Sequence, residues 1–309
     1  MLNPMGEDIS ALFDRAGCTG QLCVLSLDGT QQVTVDADRP AVPASVIKIL
    51  VALEAEIQFA SGQLDPRERV TLRAAERTPG PVLFSLFQDD VRASLRDLVV
   101  AMLTISDNVA TDALLDRMGL DAVNSRAAHL GLAGTVVTGN LRTIINSIGR
   151  DAGFADWDAM WEWAAQPHSA ADEQALVSRI AAAAALDPAR TTRTTARDMA
   201  TLLQLIWSDQ AGPPTACQRV RQLMRRQLTR YRLAAAFPAP AVVAAKSGSL
   251  VGVVRNEAGV IEYPGGHGYA AAVFAQARRP WQDDAAINEV IGKAAATAIS
   301  QLRAQAQTR

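Results

Sequence analysis

Pro43-Ala44-Ser45-Val46-Ile47-Lys48, continued by Ile49-Leu50-Val51-Ala52-Leu53, reads as the start of a helix that carries a serine and a lysine ahead of an apolar run. The two polar side chains are three residues apart, so they share one helix face and the amine can reach the hydroxyl. A serine hydroxyl is a weak nucleophile until a neighbour takes its proton. A desolvated lysine can do this, because burial lowers its pKa. The helix N-terminus also favours negative charge developing beside it. Lysine usage adds weight: of 30 Lys plus Arg, only Lys48, Lys246 and Lys293 are lysines. Arginine stays charged and cannot serve as a base, so a lysine in an arginine-biased chain marks a special site.

Outward from this stretch, hydrophobic periodicity divides the chain. Residues 7 to 16 read as a short amphipathic helix, and Gly20 to Leu27 with Gln31 to Asp36 as a β-hairpin turning at Asp28-Gly29. From Ala44 to about Ala236 the pattern is mostly helical, with breaks at Ser61-Gly62, Thr78 to Pro81, Gly131 to Gly139 and Gly212 to Pro214. Strand patterns return at Ala241 to Ala245, Val251 to Tyr263 and Tyr269 to Ala275, and a helix spans about Asp284 to Arg303. Strands at both ends around a helical centre predict an α/β fold. Its five-stranded antiparallel sheet is assembled from the two termini, flanked by terminal helices and faced by an all-helical lobe. The expected division is one domain over 1–309, with an α/β lobe from about 1–44 and 237–309, a helical lobe from about 45–236, and an insertion at about 147–186.

Two further motifs follow in order. Ile105-Ser106-Asp107-Asn108 closes the apolar helix Leu95 to Leu103, and Lys246-Ser247-Gly248-Ser249 ends a strand whose small residues let a substrate backbone lie alongside. Each alone is a common turn or cap. Together and in this order with Ser45-x-x-Lys48, they make the chain resemble the class A β-lactamases and related penicillin-binding proteins, whose motifs are S-x-x-K, S-D-N and K-T-G. The third motif is here the serine variant. The resemblance covers nearly the whole chain and includes Val109-Ala110-Thr111-Asp112 and the stretch Asp187 to Leu203.

The resemblance implies that Ser45 attacks a carbonyl, Lys48 accepts its proton, and Ser106 relays a proton to the departing nitrogen. Backbone N–H groups of Ser45 and Ser249 would form the oxyanion hole. Asn108 would hold the substrate's amide carbonyl, while Lys246 and Ser247 would bind its carboxylate or lower the pKa of Ser106. Arg255, nine residues after Lys246, stands where many of these enzymes place a carboxylate-binding arginine. The pattern departs at the E-x-x-L-N segment, whose glutamate activates the water that releases the acyl group. Its counterpart here is Arg142-Thr143-Ile144-Ile145-Asn146, with arginine in the glutamate position. The insertion offers Asp151, Asp156, Asp158, Glu162, Asp172 and Glu173 as substitutes, although a solvated acidic helix face is the simpler expectation. Its Trp157, Trp161 and Trp163 are expected to pack an added helix on the lobe.

Composition excludes other classes. A formal charge of −2 gives no footprint for nucleic acid, and the three cysteines lack zinc-ligand spacing or an even count. No cofactor or metal is expected. No apolar run approaches the roughly 20 residues that span a bilayer. The opening residues, with Glu7, Asp8 and Asp14, do not read as a signal peptide, so a cytoplasmic location is expected. The three histidines, His129, His168 and His267, come without a G-x-S-x-G, which disfavours a Ser-His-Asp hydrolase. The expected function is hydrolysis of a β-lactam or related amide through acyl-Ser45, the partner being a small carboxylated β-lactam, peptide or ester. The alternatives are an intracellular esterase or D-amino-acid peptidase-like acyl transferase with slow β-lactam turnover, and a non-catalytic ligand-binding member of the fold. Oligomeric state is not readable.

Overall fold

A short helix, α1 (Ile9–Arg15), is capped by Asp8, whose carboxylate accepts from the Ser10 N–H at 2.9 Å. The computed structural model describes residues 8–307; the first seven residues, Glu7 among them, which form part of the stretch read as lacking a signal peptide, lie outside the described residues. β1 (Cys18–Ser26) then pairs with β2 (Gln32–Val35) as the expected hairpin, Leu22 opposite Val35, with Gly29 at φ 75° in the turn.

The helical lobe begins with a 3-10 turn over Ala44–Ile47 that runs into α2 (Lys48–Ser61). Between α2 and the next helix lies a feature that periodicity did not predict, a two-stranded antiparallel ribbon of β3 (Arg69–Leu72) and β4 (Val91–Ser94). Four-residue strands in a charged stretch carry too little alternation to register. There follow α3 (Leu95–Thr104), α4 (Asn108–Met118), α5 (Leu120–His129), α6 (Leu141–Asp151), α7 (Trp157–Ala164), α8 (Ala170–Ala181), α9 (Ala196–Trp207), α10 (Pro214–Met224) and the single turn α11 (Leu233–Ala236). The chain returns to the sheet through β5 (Val242–Leu250), β6 (Val254–Glu262) and β7 (Gly268–Ala277), and closes on α12 (Asp284–Gln307). The sheet runs β2-β1-β7-β6-β5 and every pairing is antiparallel. It is the expected five-stranded sheet, built from both ends of the chain.

Side-chain alternation sorts the strands into two cores. Val243, Ala245, Ile261 and Val273 face outward against α1 and α12, where Phe13, Ile291 and Leu302 cover them. Ala244, Ala258, Ala272 and Phe274 face the helical lobe and meet Leu50, Leu98, Met102, Leu202 and Ile206. Small residues on the inner face of the sheet let the helices come close. β5 is the edge strand, and its end lies against the 3-10 turn before α2. A Cβ on Gly248 would stand 2.7 Å from Pro43 O and 3.0 Å from Ser45 N, so only glycine allows this approach.

The stretch expected as an insertion folds into α7 and α8 around a small core of its own, Ile148, Met160, Leu176 and Ile180. Trp157 and Trp163 pack on it as expected, whereas Trp161 is 62% exposed and stacks only on Trp157. Among the described residues no helix is long and apolar enough to cross a membrane.

The return from α6 into α7 passes directly over Gly149, where a Cβ would stand 2.1 Å from Asp156 O. Gly149→Ala is therefore expected to lower stability by about 1–3 kcal/mol through forced backbone displacement. Urea denaturation measures it, and a loss under half a kilocalorie would mean that α7 is free to shift.

Candidate active site

The centre of the site is a lysine with no access to solvent. Lys48, the first residue of α2, is 0% exposed, and its Nζ donates to Ser106 O at 2.7 Å, Asn108 Oδ1 at 2.8 Å, Ser106 Oγ at 3.3 Å and Asp107 O at 3.4 Å. Ser106 sits at φ 69°, an unfavourable conformation for serine that turns its carbonyl toward the amine. Asp107 holds the turn by accepting from Ala110 N at 2.7 Å, capping α4, and from Phe84 N at 2.9 Å. Burial pulls the Lys48 pKa down to about 7, against the upward pull of Asp107 and Asp112. The amine is thus poised between its two forms at neutral pH. Ser45 stands one turn earlier, after Ala44 at φ 47°, and lines the groove. Among the described residues, Ser45 Oγ is not a hydrogen-bond partner of Lys48, whose donors are directed to the Ser106–Asn108 turn.

The opposite wall is the end of β5. Lys246 is also sealed, donating to Ser247 O at 2.8 Å, and burial first and the charge of Lys48 second drive its pKa down. The exposed edge of β5 is held by groups the sequence analysis missed. Arg232, 1% exposed, donates to Gly248 O at 3.0 Å, Asn256 O at 2.6 Å, Ser249 Oγ at 2.7 Å and Asn288 Oδ1 at 2.8 Å. Gln227 accepts from the Ser247 N–H and donates to Glu257 Oε1 at 3.0 Å, while Glu257 Oε2 accepts from Leu233 N at 2.6 Å. Asn256 Nδ2 donates to Val42 O at 2.9 Å and Pro43 O at 3.1 Å, fastening β6 to the segment that leads to Ser45. One signal was available for this network: the polar trio Arg255-Asn256-Glu257 interrupts a strand that is otherwise apolar. Arg232 and Gln227 lie in irregular chain with no local pattern to flag them.

Arg255 has a different partner from the one expected. It is the cross-strand neighbour of Ser249, but its Nη2 donates to both carboxylate oxygens of Asp284 at 2.7 and 2.8 Å, and its Nη1 to Val254 O at 3.0 Å. It is paired within the protein rather than held open for a substrate carboxylate.

Between the walls runs a groove lined by Ser45, Asn108, Ser249 and Thr191 among apolar residues from α4, α6 and the 137–145 stretch. Asn108 Nδ2 donates to Pro79 O at 2.8 Å, which leaves its second N–H for a ligand. No carboxylate lines the groove. Asp112 instead ties α6 down from behind, accepting from Leu141 N at 2.7 Å, Arg142 N at 2.9 Å and Thr78 Oγ1 at 2.6 Å. Arg142 is not among the lining residues, whereas Leu141, Ile144 and Ile145 are. The acids of the insertion are elsewhere. Asp151 accepts from Ala184 N, Asp156 caps α7 through Ala159 N, and Asp158 and Glu162 face solvent. Asp158 and Glu162 match the solvated face that was the simpler expectation, whereas Asp151 and Asp156 are taken up by backbone N–H groups. Among the described residues no cluster of His, Cys, Asp and Glu could hold a metal.

Comparison with known proteins agrees with this architecture. The chain is 26% identical over 287 residues, 89% of both chains, to a protein of Streptomyces cacaoi named beta-lactamase regulatory protein BlaB. Its fold matches a β-lactamase from Sphaerobacter thermophilus with a TM-score of 0.74 at 24% identity over 94% of both chains. It likewise matches a mutant of PBP-A solved as an acyl-enzyme complex with penicillin G, with a TM-score of 0.74 at 23% identity over 96% of this chain and 95% of that one. Reconstructed ancestral class A β-lactamases give a TM-score of 0.76 at 18% identity, covering 96% of this chain and 97% of theirs. At such identities the solved structures speak for the fold alone. A family model described as the beta-lactamase enzyme family matches residues 4–302, and by that match the chain belongs to this family.

Proposed function

We propose that the chain is an acyl-serine enzyme that forms a long-lived adduct at Ser45 with a β-lactam or a related amide or ester. The observation that carries this reading is a sealed Lys48 amine with a pKa near 7 beside a groove with no carboxylate in its lining. In the neutral form Lys48 Nζ takes the proton of Ser45 as Oγ bonds to the carbonyl carbon. The Ser45 and Ser249 N–H groups stabilise the oxyanion, and Asn108 orients the acyl amide. As the C–N bond breaks, the proton passes from Lys48 through Ser106 Oγ, 3.3 Å away, to the leaving nitrogen.

The same groove disfavours release. Water attacking the acyl-serine needs a base, and the counterpart of the family glutamate is Arg142, which cannot accept a proton. General-base assistance contributes about 10²–10⁴-fold, so the adduct should persist. A persistent adduct also suits a second role, a penicillin-binding protein whose output is the occupied state. The regulatory name of the Streptomyces cacaoi relative is in keeping with that role, though the name describes that protein.

Four outcomes test the proposal. Intact mass seconds after mixing with benzylpenicillin should show one adduct, still present after an hour; rapid turnover without adduct would refute slow release. Ser45→Ala should abolish labelling by penicillins and fluorophosphonates while circular dichroism stays unchanged, and Lys48→Arg should be nearly as inactive as Lys48→Ala because arginine keeps charge without basicity. Persistent labelling in Ser45→Ala removes that serine from the role. The pH dependence has a fixed sign: the amine must be neutral to act, so acylation should fall about tenfold per pH unit below the Lys48 value of about 7 and level off above it. A flat profile down to pH 5 would assign the base elsewhere.

A further inference from the structure

Gln21 on β1 is a buried amide with no part in the Ser45 chemistry. It stands in one row across the sheet with Phe274 on β7 and Asn256 on β6, on the face turned to the helical lobe. Gln21 is 9% exposed, yet its Oε1 meets no hydrogen-bond donor. An unpaired buried amide oxygen is destabilising, so its retention calls for a partner from outside the chain. The row of three lines a cavity of about 330 Å3, a size that suits a small molecule. Leu186 and Val254 make the wall partly apolar, while Arg39 and Asp187 bring opposite charges to it. Neither charge has an ion-pair partner among the described residues; Asp187 Oδ1 accepts from the Ala189 backbone N–H at 2.9 Å. An ammonium group has acceptors here in Gln21 and Asp187, a carboxylate on the same carbon has a donor in Arg39, and a short apolar side chain can cover Phe274.

We propose that this cavity is a second binding site, for a small zwitterion of the amino-acid class, and that its occupancy promotes acylation at Ser45. The link between the two sites is short. Asn256 Nδ2 donates to Val42 O at 2.9 Å and Pro43 O at 3.1 Å, and Val42 borders both the cavity and the Ser45 groove. Ala44, between Pro43 and Ser45, is held at φ 47°, a backbone state that persists only where its surroundings impose it. A ligand seated against Asn256 and Val42 favours the state that holds this segment, and with it the arrangement in which Ser45 lines the groove. Binding in the cavity is independent of the acyl-Ser45 reading above, whereas the effect on acylation rests on that reading.

The test titrates alanine, as each enantiomer, into isotope-labelled protein followed by NMR, with ethylamine and propionate as analogues that each keep one charge. The Gln21 side-chain amide and the Ala41 and Val42 backbone amides should shift saturably with one enantiomer or both. The Kd should lie about 10-fold or more below that of either analogue, the scale of one charged hydrogen bond. In Gln21→Leu, which removes the buried amide at similar volume, and in Arg39→Ala, at an exposed position, the affinity read from Ala41 and Val42 should fall about 10-fold while circular dichroism stays native. No saturable shift, equal or tighter binding of an analogue, or an affinity unchanged in both variants overturns the site. At saturating alanine the rate at which benzylpenicillin forms its Ser45 adduct should rise about 5-fold, the lower end of coupling between sites, and the rise should vanish in Gln21→Leu. Alanine binding with an unchanged or slower rate overturns the promotion of acylation and leaves the acyl-serine reading standing. Folded protein that forms no adduct with or without alanine overturns that reading and the promotion with it, while the NMR titration alone decides the site.

Discussion

The whole arrangement depends on the burial of one amine. Lys48 has no exposed surface, and an ammonium in that position is tolerable only if its hydrogens find acceptors. The acceptors come from a turn some sixty residues away, with Ser106 O and Asn108 Oδ1 both under 3 Å. To supply them Ser106 adopts φ 69°, and Asp107 fixes the turn through two backbone N–H groups. One buried charge therefore joins α2 to α4, sets the backbone of the second motif, and brings the lysine's pKa into the range where it can exchange protons.

The sheet side is set by close approach. Gly248 lets β5 come against Pro43 and Ser45, and a buried network of Arg232, Gln227, Glu257 and Asn256 holds that strand in place. Ser45 lies where the two halves meet, after a residue whose positive φ is kept by the contacts on both sides. Lys246 is sealed as well, and after burial the charge of Lys48 is the next cause that lowers its pKa.

What surrounds this unit gives the chain its own character. The carboxylate that would activate water has no counterpart in the groove, and the arginine that would receive an anion is paired with Asp284. The groove is thus apolar and acid-free, with the first-motif serine on its wall.

Much of this was legible in the chain itself, because it rests on short-range patterns. Alternation and 3.6-residue periodicity located the five strands and most helices. The rarity of lysine pointed to Lys48 and Lys246, and both prove to be buried. The ribbon of β3 and β4 escaped, since four residues cannot establish a period. Only the tertiary structure decided the partners of Arg232, Gln227, Glu257 and Arg255. A pairing such as Arg255 with Asp284, 29 residues apart, follows from which face of the sheet a side chain takes and which helix covers it. Charge partners are chosen by proximity in space, and a linear chain does not encode that proximity in any local pattern.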